Sequence, residues 1–207
     1  MITLQGKGVF GGIAIGKISI YKRQQNMIKR YHVEDSESEI ERFEKAKQKA
    51  LEELKDLFDK AVLEVGEANA MIFDIHQMML NDLDYCESIT NMIHTEKTNA
   101  EYAVGKTADN FSEMFASMDD AYMKARAVDV KDISERVLAI LSDGAEQKIV
   151  SDGPVIIVAD DLAPSETVQL DKSKVLGFVT QHDLFWGYGQ SSLWYALRRD
   201  DYTLYRK

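Results

Sequence analysis

The sequence is short of the residues that cross-link, interrupt or anchor a chain. A single cysteine, Cys86, stands in 207 residues. An intramolecular disulfide framework is therefore excluded, and a reducing compartment fits. Only two prolines occur, Pro154 and Pro164, both late, so between Ser36 and Gly144 nothing but scattered glycines stops a helix. No apolar run approaches the roughly 20 residues needed to cross a bilayer. The opening Met1-Ile-Thr-Leu-Gln-Gly-Lys7 lacks the apolar stretch of a signal peptide. Basic residues are outnumbered, 25 Lys and Arg against 35 Asp and Glu, for a formal charge of −10. That balance opposes nucleic-acid binding and suits basic partners. A soluble, cytoplasmic chain without membrane association is expected. Its 45% hydrophobic and 29% charged residues allow a sizeable core, in one large or two small domains. There is no internal repeat and no low-complexity segment.

Between Ser36 and Gly144 the apolar spacing is helical. Ile40, Phe43, Ala50, Leu51, Leu54, Leu57, Phe58 and Val62 form one stripe. Ser38-Glu-Ile-Glu41 has capping-box spacing and predicts the helix start. A second helix carries Met71, Ile72, Ile75, Met78 and Met79. Beyond Asn81-Asp82 a short continuation carries Leu83, Cys86, Ile89 and Ile93. Thr98-Asn-Ala-Glu101 is another capping box, opening a helix with Val104, Phe111, Met114, Phe115 and Met118. The last helix runs from about Asp119 to Leu141 with Tyr122, Val130, Ile133, Val137 and Leu138 inward, and Gly144 can end it. Short connections between amphipathic helices predict an antiparallel bundle.

The flanks read as strands. Residues 12–21 alternate with period two and are β-branched. Pro154-Val-Ile-Ile-Val-Ala159 is a continuous apolar run, as in a strand covered on both faces. Pro164 suits the first turn of a short helix, and Lys174–Thr180 reads as a second buried strand, giving a βαβ unit. Neither flank makes a sheet alone, so the N-terminal strand is expected to join the C-terminal pair. The fold class expected is α plus α/β. An antiparallel helical bundle over 31–144 is inserted into an incomplete α/β domain made of 1–30 and 145–181. The segment 182–207 holds both tryptophans, Trp186 and Trp194, and follows neither period for long.

Four ordered stretches carry a resemblance: residues 72–82 (Ile-Phe-Asp-Ile-His-Gln-Met-Met-Leu-Asn-Asp), 99–104 (Asn-Ala-Glu-Tyr-Ala-Val), 119–133 and 158–172 (Val-Ala-Asp-Asp-Leu-Ala-Pro-Ser-Glu-Thr-Val-Gln-Leu-Asp-Lys). Over roughly residues 6–180 the chain resembles enzyme I, the phosphoenolpyruvate–protein phosphotransferase of the bacterial sugar phosphotransferase system. One departure lies at Lys7-Gly-Val-Phe-Gly-Gly12, where the family has a Ser-Pro-Gly turn. The resemblance implies a helical subdomain that docks the phosphocarrier HPr and an α/β subdomain of the swivelling phosphohistidine type. The family's acceptor histidine sits in Gly-Gly-Arg-Thr-Ser-His after the strand matching Val175–Thr180. Here Gln-His-Asp-Leu-Phe-Trp-Gly-Tyr-Gly follows instead, and the acceptor position falls on Tyr188. Thr167 matches a family threonine close to that histidine. His182 lacks the glycines and the Arg-Thr-Ser donors a phosphoryl acceptor needs beside it. The barrel that binds phosphoenolpyruvate, magnesium and the dimer partner has no counterpart either. The expectation is a docking fragment with no catalytic residue, no cofactor or metal of its own, and a monomeric state.

Docking residues follow from the resemblance position by position: Glu67, Met71, Asp74, Met78, Met79, Asp82, Asp84, Phe115, Met123 and Arg126. Met78 and Met79 are consecutive and cannot share one direction, so one should point outwards, where a pliable side chain suits recognition. Methionines at helical spacing are more often core, and acids more often a solvated face. The family pairing of an apolar patch with acids that meet basic HPr reverses that preference. His76, alone among apolar neighbours, reads as a packing or capping residue, and no Cys/His cluster has metal-ligand spacing. Gly6–Gly12 precedes a strand, so it is not a phosphate loop. Ser165 with His182 lacks a nucleophile-elbow pattern. Two alternatives stand beside the docking fragment. One is a full phosphotransferase whose sequence is truncated or frameshifted after Gln181. The other is a non-catalytic helical interaction module with another partner.

Overall fold

The computed structural model describes residues 13–22, 28–142, 153–160, 162, 164–170 and 173–180. The glycine-rich stretch before Gly12, the expected stop at Gly144, and residues 182–207 with His182, Tyr188 and both tryptophans lie outside them.

Among the described residues five helices lie between the first strand and the second. The first, α1 (Ser36–Val65), starts before the expected box at Ser38. The Asp35 carboxylate accepts from the backbone of Glu37 and Ser38, both at 3.1 Å, which satisfies the first turn earlier in the chain. Phe43, Ala46, Ala50, Leu54, Leu57 and Ala61 form its buried stripe. Gly66 closes it at φ 83°, a left-handed value that glycine adopts without strain, and α2 (Glu67–Leu80) begins at the next residue. Asn81 ends α2, and Asp82 caps α3 (Leu83–Glu96) by accepting from the Tyr85 backbone at 3.0 Å. The break at Asn81-Asp82 therefore stands as expected.

Helix α4 (Ala100–Ala116) corrects the second capping box. Asn99, not Thr98, is the residue before its first turn, and the Asn99 side chain is turned away to accept from the Tyr31 backbone at 3.1 Å. The cap comes from another helix: Glu39 Oε1 of α1 accepts from the Ala100 backbone at 2.6 Å. Arg42, one turn along α1, donates to Glu39, to Glu101 and, at 3.0 Å, to the Leu141 carbonyl. One guanidinium thus fastens the start of α4 to the end of α5 (Ala121–Leu141).

Burial alone would raise the pKa of the Glu101 carboxyl, but bonds from Arg42, Asn99 and its own backbone, with the Arg42 charge, more than offset it, and the net shift is down. A depressed carboxyl stabilises the fold above its unfolded pKa, and that contribution disappears as pH falls through the folded value. Glu101→Gln should therefore flatten the acid side of the stability–pH curve while leaving the far alkaline side parallel to the parent. Urea midpoints measured across pH check this; an unchanged acid limb would contradict it.

The interior of α5 follows its stripe, with Val130, Ile133, Val137 and Leu138 buried. Tyr122 does not face inward as its spacing predicts. It is 44% exposed, and its hydroxyl accepts from the buried Arg126 guanidinium. Leu83, also expected inward, is 67% exposed in the first turn of α3, and Met118 falls beyond the end of α4. In the main core α1 packs chiefly on α2, and α4 on α5. Tyr85 and Ser134 share a buried hydroxyl–hydroxyl bond of 2.6 Å there, and burial drives the Tyr85 phenol well above its usual range.

The strands β1 (Lys17–Tyr21), β2 (Val155–Ala159) and β3 (Val175–Thr180) form a sheet ordered β1-β2-β3 with both pairs parallel, and α6 (Pro164–Gln169) lies between β2 and β3 in the chain. The strand–helix–strand unit and the joining of the first strand to the later pair stand as expected. Three details change. β1 starts at Lys17 rather than Gly12. β2 is covered on alternate residues only: Val155, Ile157 and Ala159 are buried with Leu162 and Leu170, whereas Ile156 and Val158 are half-buried. β3 is at most half-buried, and Val179 is 52% exposed. A continuous apolar run has no period, so it could not tell which face is covered. Lys60 of α1 donates to the Val168 carbonyl of α6 at 2.8 Å, and Val168 is itself part of the helical core.

Candidate functional site

Helix α2 separates its faces by spacing. Ala70, Phe73, His76 and Leu80 are buried. Glu67, Met71, Asp74 and Met78 recur at four, three and four residues and so share a different stripe. Along it Met78 is 68% exposed and Met71 43% exposed, Glu67 is exposed and Asp74 half-buried. The consecutive methionines part as expected, for Met79 packs against the core. Asp82 and Asp84 extend the acidic rim onto the first turn of α3, and both are exposed. Each also has a local duty: Asp82 caps α3, and Asp84 favours the positive end of that helix.

The remaining expected residues come from α4 and α5. Phe115 packs against the core, and Met123 is half-buried in the first turn of α5. Arg126 is only 8% exposed. Its guanidinium lies 4.7 Å from the Tyr122 ring centre, donates to the Tyr122 hydroxyl, and sits 3.8 Å from Met79 Sδ and 3.4 Å from Asp129 Oδ2. Met79 and Arg126 thus join the α2 surface to α5. Leu83, Met114 and Tyr122 are exposed apolar residues outside the sequence-derived set. Helical periodicity misassigned them inward, because it does not register which end of a helix projects beyond its neighbours.

His76 is fully buried, as a packing residue should be, but its surroundings are charged. Nε2 lies 3.3 Å from Asp129 Oδ1 and Nδ1 3.7 Å from Asp132 Oδ2. Neither approach is aligned as a hydrogen bond. Only the three-residue spacing of Asp129 and Asp132 on one helix face could have signalled this pairing.

Other chemistry is sparse among the described residues. Cys86 is half-buried, donates to the Leu80 carbonyl at 3.3 Å, and has its thiol pushed up by burial despite Lys47 at 3.8 Å, which disfavours a nucleophile. Thr167 is 4% exposed on α6. No group of three His, Cys, Asp or Glu among the described residues could hold a metal ion. A shallow cavity of about 150 Å³, lined by Ile28, Lys29, Tyr31, Asn99, Glu101, Leu138 and Ser142, shares no residue with the α2 surface. Among the described residues no helix is long and apolar enough to cross a membrane.

A mostly helical chain with a small parallel sheet, bearing an acid-rimmed methionine stripe, defines the class. The chain belongs to the family described as PEP-utilising enzyme, N-terminal, whose model matches residues 5–126. Within it the chain is similar to enzyme I. The phosphoenolpyruvate-protein phosphotransferase of Listeria monocytogenes is 41% identical over 178 residues, covering 86% of this chain and 31% of the relative. That of Bacillus subtilis is 38% identical over 183 residues, covering 87% and 32%. This chain thus spans about a third of the length of the curated relatives it matches. A solution structure of enzyme I (nEIt) aligns with a TM-score of 0.67 and 32% identity, over 89% of this chain and 73% of that one. The N-terminal domain of Enzyme 1 - Nitrogen aligns at 0.63 and 23% identity, which speaks for the fold alone.

Proposed function

We propose that this chain is the carrier-docking part of an enzyme I, and that it binds the phosphocarrier HPr through Glu67, Met71, Asp74, Met78, Met79, Asp82, Asp84, Phe115, Met123 and Arg126. The observation that carries the reading is the outward stripe on α2, where Met78 is 68% exposed between acids although apolar cover was available on the other face. Acids around the stripe accelerate encounter with a basic carrier, and the methionines supply residence time once water leaves. In the same reading residues 31–144 are an antiparallel bundle inserted into a phosphohistidine-type α/β domain formed by 1–30 and 145–181, with 182–207 outside the family pattern. The chain acts in the cytoplasm as a monomer and contributes no catalytic residue. Magnesium, which the resemblance assigns to the longer enzymes, finds no fitting acidic group among the described residues.

Calorimetric titration with HPr at low and high ionic strength tests the reading. Binding should be present at low salt and weaken, without vanishing, as salt screens the acidic rim. Absence of binding at low salt would contradict it. A second reading, a full phosphotransferase whose sequence is truncated or frameshifted after Gln181, is not favoured by a match to 31% of the relative, which a docking fragment gives equally. Gly-Gly-Arg-Thr-Ser-His encoded in another frame beyond the Gln181 codon would establish it; no such motif in any frame would remove it.

A further inference from the structure

We propose that His76 is a positioning residue of the docking surface, holding Arg126 in place through Asp129. This deepens the docking reading and rests on it. The path is short and made of side chains with few alternatives. Asp129 divides its carboxylate between two nitrogen-bearing side chains: Oδ1 lies 3.3 Å from His76 Nε2, and Oδ2 lies 3.4 Å from Arg126 Nη1. Arg126 in turn touches Met79 Sδ of α2 at 3.8 Å and lies over the Tyr122 ring at 4.7 Å. It is the sole base among the ten docking residues, so its directed donors give a partner register that a field of acids cannot.

A buried imidazole with two unaligned nitrogens is a poor way to fill space, because an apolar side chain of similar volume would pack there without desolvating polar atoms. The groups facing it account for its presence. From α5 these are Asp129 and Asp132. From α2 itself Phe73 meets the ring edge-on at 6.2 Å, and Asp74 belongs to the outward stripe. With Nε2 at 3.3 Å, His76 leaves one oxygen of Asp129 turned inward and away from Arg126. Without it the carboxylate is free to close on the guanidinium with both oxygens, the stronger two-bond arrangement, and to draw Arg126 off Tyr122 and Met79.

The test uses three variants of the whole chain: His76→Leu, which removes the polar contact, His76→Gln, which restores a donor near Nε2, and Asp129→Asn. In the chain without partner, the Arg126 Nε–Hε resonance should move in His76→Leu and Asp129→Asn and return towards the parent position in His76→Gln. Affinity for HPr should fall about tenfold in His76→Leu, the loss expected when one charge-assisted hydrogen bond is misplaced. The His76→Leu/Asp129→Asn double variant should lose no more than the worse single one, since both act on one path. A stationary Arg126 resonance in a folded His76→Leu, or fully additive losses, overturns the proposal. If His76→Leu does not fold, Asp129→Asn against the parent decides in its place, and a stationary Arg126 resonance there overturns the proposal equally. Failure of the parent to bind HPr would defeat the docking reading alone, because the Arg126 resonance is read without partner.

Discussion

Replacing Phe73 by alanine should lower the unfolding free energy by about 3–5 kcal/mol, the usual cost of emptying a fully buried aromatic site. Phe73 is completely buried in the core shared by the helices and meets His76 edge-on at 6.2 Å. It lies on the inner face of α2, so its ring is the footing for the outward stripe of Glu67, Met71, Asp74 and Met78. Domains of this size hold together by only about 5–15 kcal/mol, so a loss of that order leaves a marginal fold. Urea unfolding followed by circular dichroism measures it. A loss below about 1 kcal/mol would mean that α2 is not anchored where the structure places it.

Met78→Lys should separate function from stability. A side chain that is 68% exposed contributes little to the core, and surface changes of this kind stay within about 0.5 kcal/mol. The same change should weaken HPr binding by about 2 kcal/mol or more, roughly 30-fold, as removal of a central apolar contact does. Lysine adds a repulsive charge against a basic carrier, so the loss should exceed that of Met78→Ala. Affinity and melting temperature measured on one preparation check the pair of outcomes. Unchanged binding, or a large drop in melting temperature, would contradict the role given to Met78.

The features that were legible in the sequence are those decided by neighbours a few residues apart. The Asn81-Asp82 break, the inward stripe of α1 and the parting of Met78 from Met79 all follow from helical geometry and local capping. The docking set came from ordered motifs, not from periodicity. What was illegible depends on partners distant in the chain. Glu39 caps Ala100 across 61 residues, and Arg42 reaches Glu101 across 59. Local spacing therefore points to Thr98 as the α4 cap, whose neighbour Asn99 is occupied by Tyr31. His76 read as a simple packing residue because its carboxylate neighbours belong to α5. In the sheet, Ile156 and Val158 are as apolar as Val155 and Ile157, so composition alone could not say which pair would be left half-covered.

Methionine methyl spectroscopy shows whether the outward stripe of α2 meets HPr. In the chain labelled at its methionine methyl groups, addition of unlabelled HPr should shift or broaden Met78 and Met71 first, with Met123 following and Met92, which packs against the core, unmoved. Saturating HPr that leaves Met78 and Met71 in place, or that perturbs Met92 alone, would contradict the account.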